Sequence, residues 1–177
     1  MSLKPIIALT SALMVTGCVT QSTYDREHQL NQQLQSEVQS DQVQITELKD
    51  RLRITIAERT LYSSGHADVT SSGRKVLDKI VPTLQQATDQ RIEVEGFTDD
   101  VPVGGHLRGK YKTNWELSAA RAAGVVEYLQ KKGIDPSRMT LAGHGQYAPT
   151  GDNSTASGRA ENRRTNIDLI PDDNKQN

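Results

Sequence analysis

Apolar residues in the second half of this chain recur with the period of a helix in two places. Residues 71–87 and 114–132 carry apolar side chains every three or four positions, which predicts two helices with one buried face each. Pro82 lies within the first and is expected to kink or split it. Gly133 follows two lysines at the end of the second, a combination typical of a helix terminus.

Alternation of apolar and polar residues predicts the strands. It is clearest over residues 91–97, and shorter segments at 53–56, 138–143 and 165–170 follow the same rule. A short helical turn is predicted at 158–163. The order β-α-β-α-β-β predicts an α/β (α+β) fold, a two-layer sandwich with helices on a mixed sheet, preceded by a long N-terminal helix.

The first residues have the pattern of a signal peptide. Residues 1–17 contain Lys4, then a mostly apolar run, and no acidic residue; the run is too short to cross a membrane. Val15-Thr-Gly-Cys18 resembles the lipobox of bacterial lipoproteins, which implies that Cys18 becomes the acylated first residue of the mature protein. The alternative is an ordinary secretory signal with a chance cysteine.

Cys18 is the only cysteine of the chain, so no internal disulfide and no cysteine-rich metal site is expected. Acyl chains contribute about 0.8 kcal/mol per buried methylene and would hold the chain firmly to a bilayer. Val19 follows the cysteine, which in enteric-type bacteria permits sorting to the outer membrane. We therefore expect a lipid-anchored protein on the periplasmic face of the outer membrane.

A polar, glutamine-rich segment follows, without glycine or proline up to residue 52. Residues 24–52 fit a heptad frame with polar residues at several core positions, which predicts a long helix and an imperfect coiled-coil seam. Such a tether would carry the next domain away from the membrane. It leaves open a homo-oligomer or an envelope protein as a partner. A disordered polar linker is the alternative.

The chain has 177 residues, enough for one domain and an extension, and four segments are predicted. These are a signal peptide at 1–17, a lipidated cysteine and tether at 18–52, a globular domain at 53–171 and a disordered tail at 172–177. The net charge of the chain is -1, so binding to nucleic acid is not expected.

Arg121 stands at the edge of the buried face of the second helix, which should begin at the Thr113 and Glu116 capping box. A guanidinium keeps its charge, so a buried one needs an anionic partner. One interpretation is an internal salt bridge. The other is an arginine that receives an anionic ligand.

Asp99 supplies a candidate opposite charge. The strand at 91–97 ends directly before Thr98-Asp-Asp, and a long loop then leads to the helix that carries Arg121. Because the two ends of one loop lie close together, Asp99 and Arg121 are expected to face a common site.

Four motifs together resemble the OmpA-like C-terminal domain, which outer-membrane protein A, the peptidoglycan-associated lipoprotein and the flagellar stator B protein share. The resemblance covers residues 53–171. The loop and the helix start look most like the stator version, whereas the lipobox and tether look like the lipoprotein version. The motifs are Gly96-Phe-Thr-Asp-Asp-Val-Pro, Asn114-Trp-Glu-Leu-Ser-Ala-Ala-Arg-Ala-Ala, Gly143-His-Gly, and Asn153-Ser-Thr with Gly158-Arg-Ala-Glu-Asn-Arg-Arg.

The resemblance implies non-covalent binding of peptidoglycan through the diaminopimelate of its peptide stem, without a cofactor or metal. Matched motif by motif, Asp99 would accept from the ammonium of diaminopimelate and Arg121 would bind its carboxylate. The other implied ligand-binding residues are Thr98, Asn114, Leu117 and Arg163, the last of which could instead brace the final strand.

This chain departs from the family pattern at two places. Phe97 stands where many members have histidine and is expected to pack against the sheet or the ligand. The loop at 100–113 is longer than in the lipoprotein subgroup, which leaves the groups that cap the ligand undefined.

The expected function is mechanical: an outer-membrane lipoprotein that links the membrane to the cell wall. The alternative is an envelope assembly or trafficking factor whose coiled coil binds a partner protein. An enzyme is not expected. The chain has no G-x-S-x-G or H-E-x-x-H motif, and if the strand extends as far as Asp99 and Asp100, these adjacent residues point to opposite faces and do not share a site.

Overall fold

The computed structural model describes residues 28–33, 35, 43–64 and 66–172 of the chain. Cys18, the predicted signal peptide, most of the predicted tether and residues 173–177 lie outside the described residues. The strands are β1 Val43–Leu48, β2 Arg51–Ala57, β3 Gln90–Gly96, β4 Met139–Gly143 and β5 Arg164–Pro171. The helices are α1 Glu58–Leu61, α2 Ser71–Gln86, α3 Asn114–Lys131 and α4 Ala156–Asn162, with 3-10 turns at Gly105–Gly109 and Pro136–Arg138.

The five strands form one mixed sheet in the order β1-β2-β5-β3-β4. β3 and β4 run parallel, and the other neighbours run antiparallel. The predicted class, a mixed α/β fold with helices packed on a mixed sheet, is therefore confirmed.

The core lies between one face of the sheet and the helices α2 and α3. Ile54 of β2 pairs with Ile167 of β5, which in turn pairs with Val94 of β3, and all three are fully buried. Burial of each such side chain contributes about 1.5–3 kcal/mol. The opposite face is polar because the intervening residues, such as Arg53 and Asp168, alternate with the core residues.

Helix α3 lies directly on the backbone of β3 and β4. A Cβ at Gly96 would stand 2.2 Å from the carbonyl oxygen of Ser118, and one at Gly143 would stand 2.5 Å from the nitrogen of Ala119. Only glycine permits this close approach of α3 to the two strands. The close approach sets the position of the first two turns of α3, including Arg121.

The prediction of a helix that continues to residue 52 is wrong for residues 43–52. Val43 pairs with Ile56, and the antiparallel register continues to Leu48 and Arg51, so this segment is a hairpin. Val43 and Ile45 alternate with polar residues, and pairing with β2 satisfies the backbone hydrogen bonds on one side of this edge strand while Val43 is buried. The sheet therefore begins at Val43 rather than at residue 53.

Other boundaries agree more closely with the sequence. Residues 28–33 are helical, as predicted, and Leu30 is buried in the domain core. Helix α3 begins after Thr113, whose hydroxyl accepts from the Glu116 N–H. Helix α2 passes through Pro82 without being split.

Candidate functional site

The candidate site residues lie at one end of the sheet. Ala57 at the end of β2 pairs with Arg164 at the start of β5, and Gly96 at the end of β3 pairs with both Thr165 and Gly143. The ends of β2, β3 and β4 and the start of β5 therefore lie together at this end of the sheet. The charged side chains described below lie at or near these strand ends and on the adjoining helices.

Asp99 is held in a tight turn directly after β3. The Thr98 N–H donates to the carbonyl oxygen of Gly145 (2.8 Å), and the Val101 N–H donates to Oδ1 of Asp99 (3.2 Å). The Thr98 hydroxyl donates to the Asp99 carbonyl oxygen (2.9 Å). Thr98 and Asp99 are both buried, so this carboxylate is already desolvated.

Asn114 braces the same turn. Its Nδ2 donates to the carbonyl oxygens of Asp99 (3.3 Å) and Val101 (3.1 Å) and to Oε1 of Gln146 (2.8 Å). The structure thus brings Thr98 and Asn114 together with Asp99, as supports for its backbone.

Leu117 has a different environment. It packs with Ala67 and Val103 in a small apolar cluster, against which Leu107 and Tyr111 also rest. This cluster lies under the long loop at 100–113 and holds it against α3. The described contacts give Leu117 a role in loop packing.

Arg121 is almost fully buried, with 4% of its surface exposed. Its Nη2 forms an ion pair with Oε1 of Glu58 and donates to the carbonyl oxygen of His66 (3.1 Å). The guanidinium carbon lies 5.1 Å from the centre of the Tyr62 ring. Among the described residues, the Nε of Arg121 has no hydrogen-bond partner.

Arg163 connects Glu58 to Asp99. Its Nε lies 2.9 Å from Oε2 of Glu58, and its Nη1 lies 2.5 Å from Oδ2 of Asp99. The four side chains Arg121, Glu58, Arg163 and Asp99 therefore alternate in charge along one continuous row, which we call the charge ladder. Asp99 and Arg121 share this ladder, and two other side chains stand between them.

The internal salt bridge considered for Arg121 thus exists in the free protein, with Glu58 as its partner. Sequence reasoning missed Glu58, which directly follows the alternating residues of β2. Its position at a strand end was the available clue, because strand ends are where loops carry functional side chains. Nothing in the spacing distinguished Glu58 from the other acidic residues of the chain.

Tyr62 contacts the backbone of Arg121, one member of the charge ladder. Its hydroxyl donates to the carbonyl oxygen of Arg121 (3.0 Å) and lies 3.4 Å from Oγ1 of Thr165. Burial raises the pKa of the Tyr62 phenol to about 12, so the hydroxyl stays protonated at neutral pH.

Phe97 packs against the sheet beside three other side chains at this end: His144, Arg164 and Glu95. Its ring stacks on His144 with centroids 4.6 Å apart, and the guanidinium of Arg164 lies 3.8 Å from the ring centre. Burial lowers the pKa of Arg164 to about 10, which leaves it charged at neutral pH. His144 also contacts Glu95 (2.9 Å).

Two clefts open beside the ladder. The larger has a volume of about 1390 Å³, and its lining includes Glu58 and Arg163 but neither Asp99 nor Arg121. The smaller, about 320 Å³, lies between the long loop and the start of α3. At its rim the exposed rings of Trp115 and Tyr147 stack 5.0 Å apart.

In the described part of the chain, none of the helices is both long and apolar enough to span a membrane. Within the same residues, no group of three histidine, cysteine, aspartate or glutamate side chains is arranged to hold a metal ion.

Comparison with known proteins identifies relatives of the whole domain. The chain is 30% identical over 78% of its length to the "probable lipoprotein YiaD" of Escherichia coli, of which it covers 60%. Among solved structures, it resembles a MotB-like protein of Desulfovibrio vulgaris (TM-score 0.77, 25% identity, 85% of this chain and 94% of that chain). It also resembles the cell wall anchor of the T6SS from Pseudomonas aeruginosa (TM-score 0.73, 30% identity, 80% of this chain and 96% of that one).

The chain spans between 54% and 62% of the length of the first curated relatives it matches. A model of the OmpA family matches residues 61–163, more than half of the chain, and this range contains Asp99, Arg121 and Arg163. The protein belongs to the OmpA family.

Proposed function

We propose that this domain binds peptidoglycan non-covalently and anchors its chain to the cell wall. One observation carries the proposal: a buried carboxylate, Asp99, and a buried guanidinium, Arg121, belong to one charge ladder at one end of the sheet. Buried charges are costly unless they are paired, so a place that holds both signs is suited to a ligand that carries both.

The free end of diaminopimelate is such a ligand, because it bears an ammonium and a carboxylate on one carbon. Asp99 would accept from the ammonium, and Arg121 would donate to the carboxylate in charge-assisted hydrogen bonds. Thr98 and Asn114 keep the Asp99 turn in place through the bonds described above. Arg163 is the second cation of the site.

The similarity to the P. aeruginosa cell wall anchor supports a wall-binding role rather than catalysis. The similarity to YiaD supports a lipoprotein. We therefore propose that Cys18 carries the lipid, that the chain faces the periplasm from the outer membrane, and that wall binding links the two layers.

A second candidate is an assembly factor that uses residues 24–42, which precede the sheet, to bind another envelope protein while the domain holds the wall. The P. aeruginosa relative favours this possibility, because a wall anchor there serves a larger system. Capture experiments with and without residues 24–29 would test it, because a deletion that stops before Leu30 keeps this buried core residue in place. Equal capture of envelope proteins by both chains would contradict it.

Co-sedimentation with purified peptidoglycan sacculi tests the wall-binding proposal. The chain from residue 19 onward should pellet with sacculi, and Asp99→Asn and Arg121→Ala should abolish pelleting while circular dichroism shows folded protein. Asp100→Asn is the matched control, because Asp100 is an adjacent but exposed carboxylate. Equal pelleting by all four proteins, or none by the parent, would refute the proposal.

Membrane attachment needs a separate test. In cells, Cys18→Ser should remove the protein from the outer-membrane fraction, while the binding of residues 19–177 to purified sacculi does not depend on the lipid. An unchanged distribution would refute lipidation at Cys18.

A further inference from the structure

Glu58 and Arg163, the two middle members of the charge ladder, contact the two residues to which the proposed ligand would bind. The carboxylate of Glu58 lies on the guanidinium of Arg121, and the guanidinium of Arg163 lies on the carboxylate of Asp99. Glu58 and Arg163 are also paired with each other, through Nε and Oε2 at 2.9 Å. An anion next to a cation is the charge arrangement of an amino acid's ammonium and carboxylate.

The backbone joins Glu58 and Arg163 as well. The Glu58 N–H donates to the carbonyl oxygen of Arg163 (3.0 Å), where the chain passes from β2 into α1 and from α4 into β5. The two residues are therefore neighbours independently of their side-chain contact.

Exposure divides the ladder into an inner and an outer pair. The side chains of Asp99 and Arg121 are 11% and 5% exposed, whereas those of Glu58 and Arg163 are 18% and 35% exposed. Only the outer pair lines the larger cleft. A ligand that enters from this cleft meets Glu58 and Arg163 before it can reach Asp99 or Arg121.

We propose that the Glu58–Arg163 pair is an internal stand-in for the ligand, which occupies the site in the free protein and is displaced from it on binding. This inference rests on the proposed function. In the free protein, the pair neutralises the desolvated charges of Asp99 and Arg121, which would otherwise be buried without partners. On binding, the ligand's carboxylate replaces Glu58 at Arg121 and its ammonium replaces Arg163 at Asp99.

The exchange leaves every charge paired. Two ion pairs are broken, Glu58 with Arg121 and Arg163 with Asp99, and the ligand forms two in their place. Glu58 and Arg163 keep their contact with each other and turn toward the cleft that they already line. The cost of this displacement lowers the apparent affinity, because the protein must leave its preferred free state before it binds.

Substitution of the stand-in tests the proposal. Glu58→Gln and Arg163→Gln each remove one competing charge and keep a polar side chain of similar length. In calorimetric titration with a stem tetrapeptide that contains diaminopimelate, each variant should bind about threefold to tenfold more tightly than the parent. Glu161→Gln and Arg59→Gln are the matched controls, since both residues are exposed and line the same cleft. These controls should bind like the parent.

A second peptide separates the two halves of the stand-in. A stem tetrapeptide with lysine in place of diaminopimelate offers a side-chain ammonium without the adjacent carboxylate. Arg163→Gln should raise affinity for both peptides, whereas Glu58→Gln should raise affinity only for the diaminopimelate peptide. Residues that merely stabilise the fold would not produce this split.

Measurements on the unmodified protein avoid any dependence on how the variants fold. In nuclear magnetic resonance spectra, the guanidinium resonances of both Arg121 and Arg163 should shift when the diaminopimelate peptide is added. Unshifted Arg163 resonances in the complex, or unchanged or weaker binding by folded Glu58→Gln and Arg163→Gln variants, would overturn the stand-in. If the parent binds neither peptide nor sacculi, it is the proposed function that fails.

Discussion

Two buried arginines lie at opposite ends of the sheet and are satisfied in different ways. Arg138, 9% exposed, precedes β4. Within the described part of the chain it donates to three backbone oxygens: Gln90 from Nε (3.0 Å), Leu84 from Nη1 (3.1 Å) and Ala87 from Nη2 (2.5 Å). Two of these carbonyls belong to the last turn and cap of α2, where a cation also complements the helix dipole.

Arg121 at the other end depends on a side chain. Its charge is met by the carboxylate of Glu58, it takes one backbone oxygen from His66, and its Nε lacks a partner among the described residues. Backbone oxygens cannot move aside, whereas a carboxylate that borders a cleft can. Burial alone therefore does not separate the structural arginine from the candidate binding arginine, whereas the kind of acceptor does.

Burial lowers the pKa of Arg138, because desolvation disfavours its charged form. The three carbonyl oxygens offset that cost by accepting from the charge. The arrangement joins α2, β3 and β4 at this end, so Arg138 acts as a structural residue.

The largest effect is expected from Arg138→Ala. The substitution removes three hydrogen bonds from a buried charged donor, although the Ala87 carbonyl keeps its bond from the Gln90 N–H, and should lower the free energy of unfolding by roughly 4 kcal/mol. Urea denaturation would measure this loss. At a temperature where the variant is folded, its sacculus binding should equal that of the parent. A stable variant that no longer binds would reverse the roles assigned to the two arginines.

Gly96→Ala should have the next largest effect, at the Arg121 end. A Cβ there would stand 2.2 Å from the carbonyl oxygen of Ser118, so α3 must move away from β3. We expect a loss of about 3 kcal/mol in unfolding free energy and weaker sacculus binding, because Arg121 moves with the helix. Gly109→Ala is the control, since no atom lies within 4 Å of its added Cβ. Equal stability of the two variants would contradict the close approach of α3.

Arg121→Ala should cost less stability but abolish binding. Its partner Glu58 keeps the ion pair with Arg163, so no carboxylate is left without a cation. We expect a loss of about 2 kcal/mol in urea denaturation and no pelleting with sacculi. Pelleting that survives in the folded variant would show that buried Arg121, like Arg138, is only structural.

Periodic signals account for the parts of the fold that were predicted correctly. The buried faces of α2 and α3 and the alternation of β3 are local patterns, and local patterns persist in the folded chain. β1 was missed because Ile45 and Leu48 fit a heptad, while only Val43 and Ile45 show the period of two. Only pairing with β2, a contact between segments, decides between them.

The candidate site also combines local and tertiary features. Asp99 and Arg121 could be predicted because one follows a strand and the other lies on an otherwise apolar helix face. Glu58 was not found because its role comes from its contacts with Arg121 and Arg163, which are distant in sequence. Arg163 was found through the family motif, but its position between Glu58 and Asp99 is a tertiary feature.

Tyr62→Phe should have the smallest effect on the free energy of unfolding. The pH dependence of this effect reports on the burial of the phenol next to Arg121. The lost hydroxyl bond to the Arg121 carbonyl should cost about 1 kcal/mol at neutral pH. The folded-state pKa of about 12 exceeds the unfolded value of about 10, so the phenol stabilises the fold fully below pH 10 and loses that contribution as pH rises toward 12. Between pH 9 and pH 11, the parent should lose about 1 kcal/mol more than Tyr62→Phe.

Urea denaturation at both pH values would give this difference, in which the titration of other groups cancels. Tyr147→Phe serves as the control, because Tyr147 is 65% exposed and should follow the parent. Parallel profiles for the parent and Tyr62→Phe would contradict a buried phenol beneath Arg121. A steeper parent profile would support a dry environment around this arginine, in which an ion pair with a carboxylate is stronger than in water.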